Sequence, residues 1–318
     1  MKMNELMANY KQQNCSKRMY WKLMRERLLP LLECQKIIAD SEECESIEIQ
    51  KNGIILSAAG VKLYFDFSQI ICRAEVILSK SENEDWTFIQ CLVPEFGTIF
   101  DIGANVGWFS LNIHAKWPNT KIYAFEPVKD TFNNMQKNIT LNDVQHGIEI
   151  FNMGFYNKKD DFKFFVPPAS EAASLRPITD SFYAQHGNVG KGVIGEEVRE
   201  IVCHVEQLDD FIEKNNIQNI DFLKCDVEGA EKMVFTGGEK LFRKYQPIVY
   251  TEMLRKHAKR FGYHPNEIIL LFKKWGYKCF IIENGRIKSF EKMDDETVET
   301  NFFFFHIQKH QKIIDRYK

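Results

Sequence analysis

Four carboxylates stand where an apolar run gives out: Asp101 behind Ile99 and Phe100, Glu126 behind 122–125, Asp226 behind 220–225, and Glu252 behind 248–250. Two of them open glycine-bearing turns, Asp101-Ile102-Gly103-Ala104-Asn105-Val106-Gly107 and Asp226-Val227-Glu228-Gly229. An ionised carboxylate accepts hydrogen bonds from vicinal hydroxyls, balances a cation, or takes a proton from a reacting hydroxyl. Gly103 permits a turn that a Cβ would strain, and Gly107 lets helix and strand approach closely. Glu126 follows Gly107 by nineteen residues. A glycine turn after one strand and an acid at the tip of the next is the layout of a nucleoside-binding α/β fold, with the acid on ribose.

The spacing selects among nucleosides. A dinucleotide fingerprint reads G-x-G-x-x-G and offers helix amides to a pyrophosphate. Here the pattern is Asp-x-Gly-x-Asn-x-Gly, with an acid in the mouth of the loop. A carboxylate there repels phosphate and suits a cation. S-adenosylmethionine, with a sulfonium, an ammonium, a ribose and no phosphate, fits better than NAD. Methyl transfer to a hydroxyl then needs a base, for which Asp226 and Glu228 are the candidates and Glu252 the next. Lys224 shares a strand face with Asp226, whereas Cys225 points the other way and reads as core. Glu231 reads as a charge over a helix's first turn. His257 is the best placed of eight histidines, with a solvated surface role expected. The strand-end acids could alternatively hold Mg²⁺ and acidify a diol; no metal ligand is assigned. The basic run Arg255-Lys256-His257-Ala258-Lys259-Arg260 reads as a solvated helix face, or as a phosphate grip if it lies near the site.

These residues need strands and helices to hold them. Apolar spacing predicts helices over 1–40, divided or kinked at Pro30, and short strands over 46–67 around Asn52-Gly53. A helix is expected over 82–96. From 97 onward strands at 98–101, 121–125, 148–151, 162–166, 201–205, 220–225, 248–250, 277–282 and 302–305 alternate with helical patterns. The alternation implies a mostly parallel sheet with helices on both faces. Residues 167–199 break the pattern with Pro167-Pro168 and four glycines, and are the candidate for a substrate-gripping lid. Phe182, Tyr183 and Arg176 are its expected acceptor contacts.

Residues 100–107, Ala124-Phe125-Glu126-Pro127 and 220–231 together resemble the FkbM-type S-adenosylmethionine-dependent methyltransferases. The resemblance covers about 95–307, and Ala173-Ser174-Leu175 and 301–305 resemble later family segments. It implies a class I, Rossmann-like fold with a seven-stranded, mostly parallel sheet whose last strand is antiparallel. It also implies O-methylation, often of sugar or polyketide hydroxyls. The cofactor set expected here is Asp101, Gly103, Ala104, Asn105, Gly107, Glu126, Pro127, Met153 and Asp226. Substrate contacts are expected from Lys224, Arg176, Ser174 and His257. A scaffold that keeps the fold without turnover is the alternative, which the intact acids Asp101, Glu126, Asp226 and Glu228 oppose.

Composition sets the remaining bounds. The 318 residues carry a net charge of -2, which gives no electrostatic case for nucleic acid. No apolar run reaches the ~18 residues of a membrane span, and the first residues lack a secretory apolar core. Eight scattered cysteines without a C-x-x-C pair read as reduced thiols in a cytoplasmic protein. The expected organisation is a helical extension at 1–45, a small β appendage and lead-in helix at 46–96, the methyltransferase domain at 97–307 and a tail at 308–318. Basic residues beside the apolar stripe of Met19, Leu23, Met24, Leu28 and Leu32 point to a packed helix, a homo-oligomer contact or a membrane surface.

Overall fold

The computed structural model describes residues 3–12, 14, 16–40, 44–65, 83–166 and 199–318. Helices α1 (Met3–Lys11) and α2 (Lys17–Asp40) lead into strands β1 (Cys44–Gln50), β2 (Gly53–Ala58) and β3 (Val61–Phe65), then α3 (Asn83–Leu92). Strict alternation follows: β4 (Thr98–Ile102), α4 (Trp108–Lys116), β5 (Lys121–Phe125), α5 (Lys129–Leu141) and β6 (Ile148–Phe151). Next come β7 (Gly154–Phe155), β8 (Asp160–Val166), β9 (Arg199–Glu206) and α6 (Leu208–Lys214). The second half holds β10 (Phe222–Cys225), α7 (Glu231–Thr236), α8 (Glu239–Lys244), β11 (Ile248–Glu252), α9 (Arg255–Arg260) and α10 (Asn266–Lys274). Strands β12 (Tyr277–Glu283), β13 (Arg286–Ser289) and β14 (Asn301–His306) and helix α11 (Gln311–Tyr317) complete the described chain.

The main sheet runs β6-β5-β4-β10-β11-β14-β12-β13. Its first five strands are parallel, and β14 is antiparallel to both neighbours. Strand order reverses between β4 and β10, which is where a doubly wound sheet opens a ligand crevice. The fold is thus the Rossmann-like α/β class expected, with eight strands rather than seven. The extra strand arises at Asn284-Gly285, where both residues have positive φ (54° and 72°). That is the turn that folds β13 back on β12 as a hairpin. Two expected strands, 162–166 and 201–205, lie outside the main sheet and form a separate three-stranded sheet, β7-β9-β8. Helix α2 is not divided at Pro30; proline removes a single hydrogen bond from a 24-residue helix. The candidate lid falls, but for Arg199, outside the described residues.

Alternate side chains along the central strands feed two cores. Phe302 and Phe304 join one, Phe303 and Phe305 the other, and all four are fully buried. Each full burial of such a ring is worth ~1.5–3 kcal/mol, so a continuous apolar run marks a strand covered on both faces. Ile99, Ala124, Phe222 and Ile248 face the second core. Asp101 and Lys224 have the parity of Ile99 and Phe222 and therefore project on that side, where the sheet ends.

The three-stranded sheet β1-β2-β3 shares the second core through Leu56, Ala58, Val61, Leu63 and Phe65. Its edge is covered by two asparagines of the α5 region. The Asn138 side chain accepts from the Tyr64 amide at 2.7 Å and donates to the Val106 carbonyl at 3.0 Å. Asn142 accepts from the Lys62 amide at 2.8 Å and donates to its carbonyl at 2.6 Å. Asn138 thus ties this small sheet to the glycine loop of the site.

Candidate active site

Register places the acids together. Ile102, Phe125, Cys225 and Thr251 stand side by side across four strands. The next residue of each strand is therefore Gly103, Glu126, Asp226 and Glu252, along one carboxyl edge. Asp101 lies two residues back from Gly103, opposite Lys224.

The glycine loop is built from acceptors. Gly103 has φ +74°, and a Cβ there would stand 1.8 Å from the Asp226 carbonyl oxygen, so only glycine lets the two loops meet. The amides of Gly103 and Ala104 both donate to the Phe125 carbonyl, at 3.1 and 2.9 Å. The Asn105 amide donates to Glu126 Oε2 at 3.1 Å, and the Val128 amide to Glu126 Oε1 at 2.9 Å. Glu126 is buried and its carboxylate is fixed in direction by these two amides. The buried side-chain oxygen of Asn105 has no hydrogen-bond partner. Pro127 follows Glu126 at the edge and is half-buried, and Met153 sits in the first core just past β6.

Asp101 is fully buried. Its Oδ2 accepts from the Ser110 hydroxyl at 2.7 Å, and its Oδ1 lies 3.3 Å from Lys224 Nζ. Lys224 also donates to the Gly103 carbonyl at 2.8 Å and lies 3.9 Å from Asp226 Oδ2. Burial pulls the Lys224 pKa down, but Asp101 and Asp226 outweigh it and hold the ammonium above its ordinary value. Lys224, expected as a substrate contact, is engaged by three internal partners. Desolvation among these neighbours raises the Asp226 pKa, with Glu228 and Asp101 adding to the rise and Lys224 and His257 opposing it. Its side chain keeps 43% of its surface open, so water moderates that rise.

The second turn is strained and braced. Glu228 has φ +56°, a left-handed backbone on a residue with a Cβ. Its Oε2 lies 2.9 Å from Nδ1 of His257. A Cβ on Gly229 would meet the His257 carbonyl at 2.7 Å, so the Gly229 position carries this close approach. His257 is 5% exposed, which corrects the expectation of a solvated surface histidine. Arg260, from the same helix α9, is half-buried; burial lowers its pKa while Glu228 and Glu231 pull it back up. The basic run is therefore only partly a solvated face: Lys256 and Lys259 are exposed, and Arg255 donates to the carbonyls of Asp295 and Thr297.

Glu231 does more than cover a helix end. It is 3% exposed and accepts from the amides of Val227 at 3.1 Å and Gly229 at 3.0 Å. The Tyr263 hydroxyl lies 3.0 Å from the Gly229 carbonyl oxygen and 3.2 Å from Glu231 Oε2. Burial raises the Glu231 carboxyl to about 7. Cys225 is fully buried and burial holds it as the thiol, in line with a core role. Ser110 and Tyr263, which orient Asp101 and Glu231, carry no signal in the sequence: a lone hydroxyl on a helix and a lone tyrosine in a loop have no pattern to betray them. Glu252 ends β11, half-buried and opposite Asn301. Ser174 and Arg176 lie outside the described residues, as do Phe182 and Tyr183. Among the described residues no group of three or more His, Cys, Asp or Glu is placed to hold a metal ion.

This donor set suits a phosphate-free cation. The loop amides that would meet a pyrophosphate are already donated to Phe125 and Glu126, and the groups gathered beside them are carboxylates and the unpaired Asn105 amide oxygen. A sequence profile described as "Methyltransferase FkbM domain" matches residues 101–279, over half of the chain. The chain belongs to the FkbM methyltransferase family. It is 31% identical over 148 residues to Methyltransferase 1 of Beauveria bassiana, covering 45% of this chain and 59% of that protein. It is 28% identical over 153 residues to the 31-O-demethyl-FK506 methyltransferase FkbM of Streptomyces tacrolimicus, covering 44% and 59% respectively. The match thus spans 59% of each relative's length. Among solved structures, the methyltransferase FkbM from Methylobacillus flagellatus KT superposes with a TM-score of 0.40 at 12% identity, over 66% of this chain and 44% of the other.

Proposed function

We propose that this family member is an O-methyltransferase whose acceptor is a hydroxyl of a sugar or glycan precursor, and that Glu228 is the base. The observation that carries the reading is the Glu228–His257 couple at the carboxyl edge, 2.9 Å apart, on a backbone held in a strained conformation. Bound S-adenosylmethionine supplies a methyl group on a sulfonium, whose positive charge is lost on transfer. Glu126, at the tip of β5, would hold the ribose hydroxyls, and the Asn105 amide oxygen would take a donor of the cofactor. Gly103, Ala104 and Gly107 shape that crevice, and Pro127 and Met153 bound it. Asp101 acts through Lys224, fixing the ammonium that carries the Gly103 carbonyl and steadies Asp226.

At the acceptor, Glu228 would accept the hydroxyl proton, an effect worth ~10²–10⁴-fold in rate. His257 Nδ1 stands 2.9 Å from the carboxylate, and Arg260 supplies positive charge beside it. Asp226, half-exposed and with a raised pKa, would hold a neighbouring hydroxyl or share the proton. Several carboxylates in one edge suit an acceptor with vicinal hydroxyls, which supports a carbohydrate over an amine. The name of the Streptomyces tacrolimicus relative places its own reaction at an oxygen.

The test is release of S-adenosylhomocysteine over a panel of sugars, nucleotide sugars and polyketide alcohols. Turnover on a hydroxyl acceptor, abolished in Glu228→Gln with cofactor affinity kept, is the expected result. Cofactor binding with no release on any acceptor would turn the reading to a non-catalytic module.

A further inference from the structure

The site leaves the N-terminal helix pair unused. Between 17 and 29, α2 carries Lys17, Arg18, Lys22, Arg25 and Arg27 against one acid, Glu26. Lys17, Arg18, Lys22 and Arg25 are exposed, and Glu26 is 3.9 Å from Lys22. The same stretch exposes large apolar groups: Trp21 at 58%, Met19 at 47% and Leu29 at 44%. Tyr20 closes the two helices by stacking on Tyr10 at 4.5 Å, and Trp21 meets Tyr20 edge-on at 5.4 Å, leaving the indole outward. Farther along α2, Ile38 packs against the second core, so the helix is anchored at its other end.

We infer that this face of α2 docks on an anionic lipid surface. Charge decides the occupant. A second copy of the chain would bring the same cluster of cations against itself, which repels. An apolar protein groove would desolvate the cations that lie between Met19, Trp21 and Leu29. A lipid interface takes both kinds of group. An indole sits at headgroup depth, and Lys and Arg lay their stems along apolar surface while their heads reach phosphate. No described helix is long and apolar enough to cross a membrane, so the attachment is peripheral. With only scattered apolar groups exposed, the cations carry the binding and salt must weaken it.

The experiment is co-sedimentation of the full chain with vesicles of phosphatidylcholine alone and of phosphatidylcholine mixed with phosphatidylglycerol. Binding to the mixed vesicles only is expected, lost near 1 M salt, where the screening length is ~3 Å. A cation near such a surface is worth ~1 kcal/mol, which is about fivefold. The pair Lys22→Gln with Arg25→Gln therefore lowers partitioning about 25-fold. Trp21→Ala weakens binding as well. All three positions are exposed, so the melting temperature stays put; Arg18→Gln with Lys22→Gln is the substitute pair if it does not. Absence of binding to mixed vesicles, equal binding to both kinds, or indifference to the glutamine pair would each overturn the inference. So would a dimer in light scattering without lipid that the same variants dissolve, since it gives the face to a second copy.

Discussion

Replacing Glu231 by glutamine should change how stability depends on pH, and the size follows from the geometry of one hydroxyl. Tyr263 has a single proton, yet its oxygen faces two acceptors, the Gly229 carbonyl at 3.0 Å and Glu231 Oε2 at 3.2 Å. A proton on Glu231 resolves this: the carboxyl donates to Tyr263, and Tyr263 donates to Gly229. That agrees with a carboxyl pushed by burial to about 7 against an ordinary 4.5. The folded state therefore holds a proton that the unfolded state releases between those two values. The contribution is full below about pH 4.5 and is lost as pH rises through about 7. At 1.36 kcal/mol per pKa unit it amounts to roughly 3 kcal/mol. Taking ~2.1 cal/mol/K of unfolding entropy per residue, this corresponds to about 5 °C in melting temperature if the whole chain melts as one unit.

The wild-type curve alone will not reveal it. Burial lowers His310 to about 4, so its contribution is present above the unfolded value of 6.5 and lost as pH falls toward 4. The two slopes oppose each other across the same window. The difference between Glu231→Gln and the parent removes His310 from the comparison. Glutamine keeps an acceptor for Val227 and Gly229 and cannot titrate. The variant should gain about 5 °C relative to the parent between about pH 5 and pH 8, followed by circular dichroism. A difference that stays flat over that range would refute the neutral carboxyl.

Four further outcomes are expected. Glu126→Ala should weaken S-adenosylmethionine binding in titration calorimetry by ~1.5–3 kcal/mol; unchanged affinity in a folded variant removes Glu126 from the ribose. Asp226→Asn and Glu228→Gln should each lower turnover far more than cofactor affinity, because the proton is handled only in the reaction; full turnover in both places the base elsewhere. Gly103→Ala should lose cofactor binding, since its methyl would stand 1.8 Å from the Asp226 carbonyl oxygen, and normal binding would show that the loops separate easily. His310→Gln should flatten the loss of stability from pH 6.5 down to 4, and an unchanged acid limb would show that His310 is not what titrates there.

What could be read from the chain divides along physical lines. Local signals carried far: the apolar runs at 98–101 and 121–125, the glycine turns and the strand-end acids all lie within short windows, and register then forces the acids together. The continuous run at 302–305 announced a strand covered on both sides. Signals that depend on distant partners did not carry. Nothing near His257 says that Gly229 will press on its carbonyl, so a histidine inside a basic run read as solvated. Glu231 likewise looked like a first-turn charge, because its partners Val227, Gly229 and Tyr263 are gathered only by the fold. Lys224 had the correct face and the wrong neighbour, since parity along a strand places a side chain without saying what waits across the sheet.

The same distinction explains the eighth strand, which the expected seven-stranded sheet lacks. Asn284-Gly285 is a hairpin signal, and β12 needs a partner on its free edge. The partner, Arg286–Ser289, alternates one buried residue, Ile287, with exposed polar ones. That is the pattern of an edge strand packed on one face, and it is too short for periodicity to register. Its stability comes from the turn and from four paired residues of β12. Edge strands and braces, whose energetics belong to their neighbours, are where a sequence read alone runs short. The strand-end carboxylates and glycine turns differ because each is marked within a few adjacent residues of the chain.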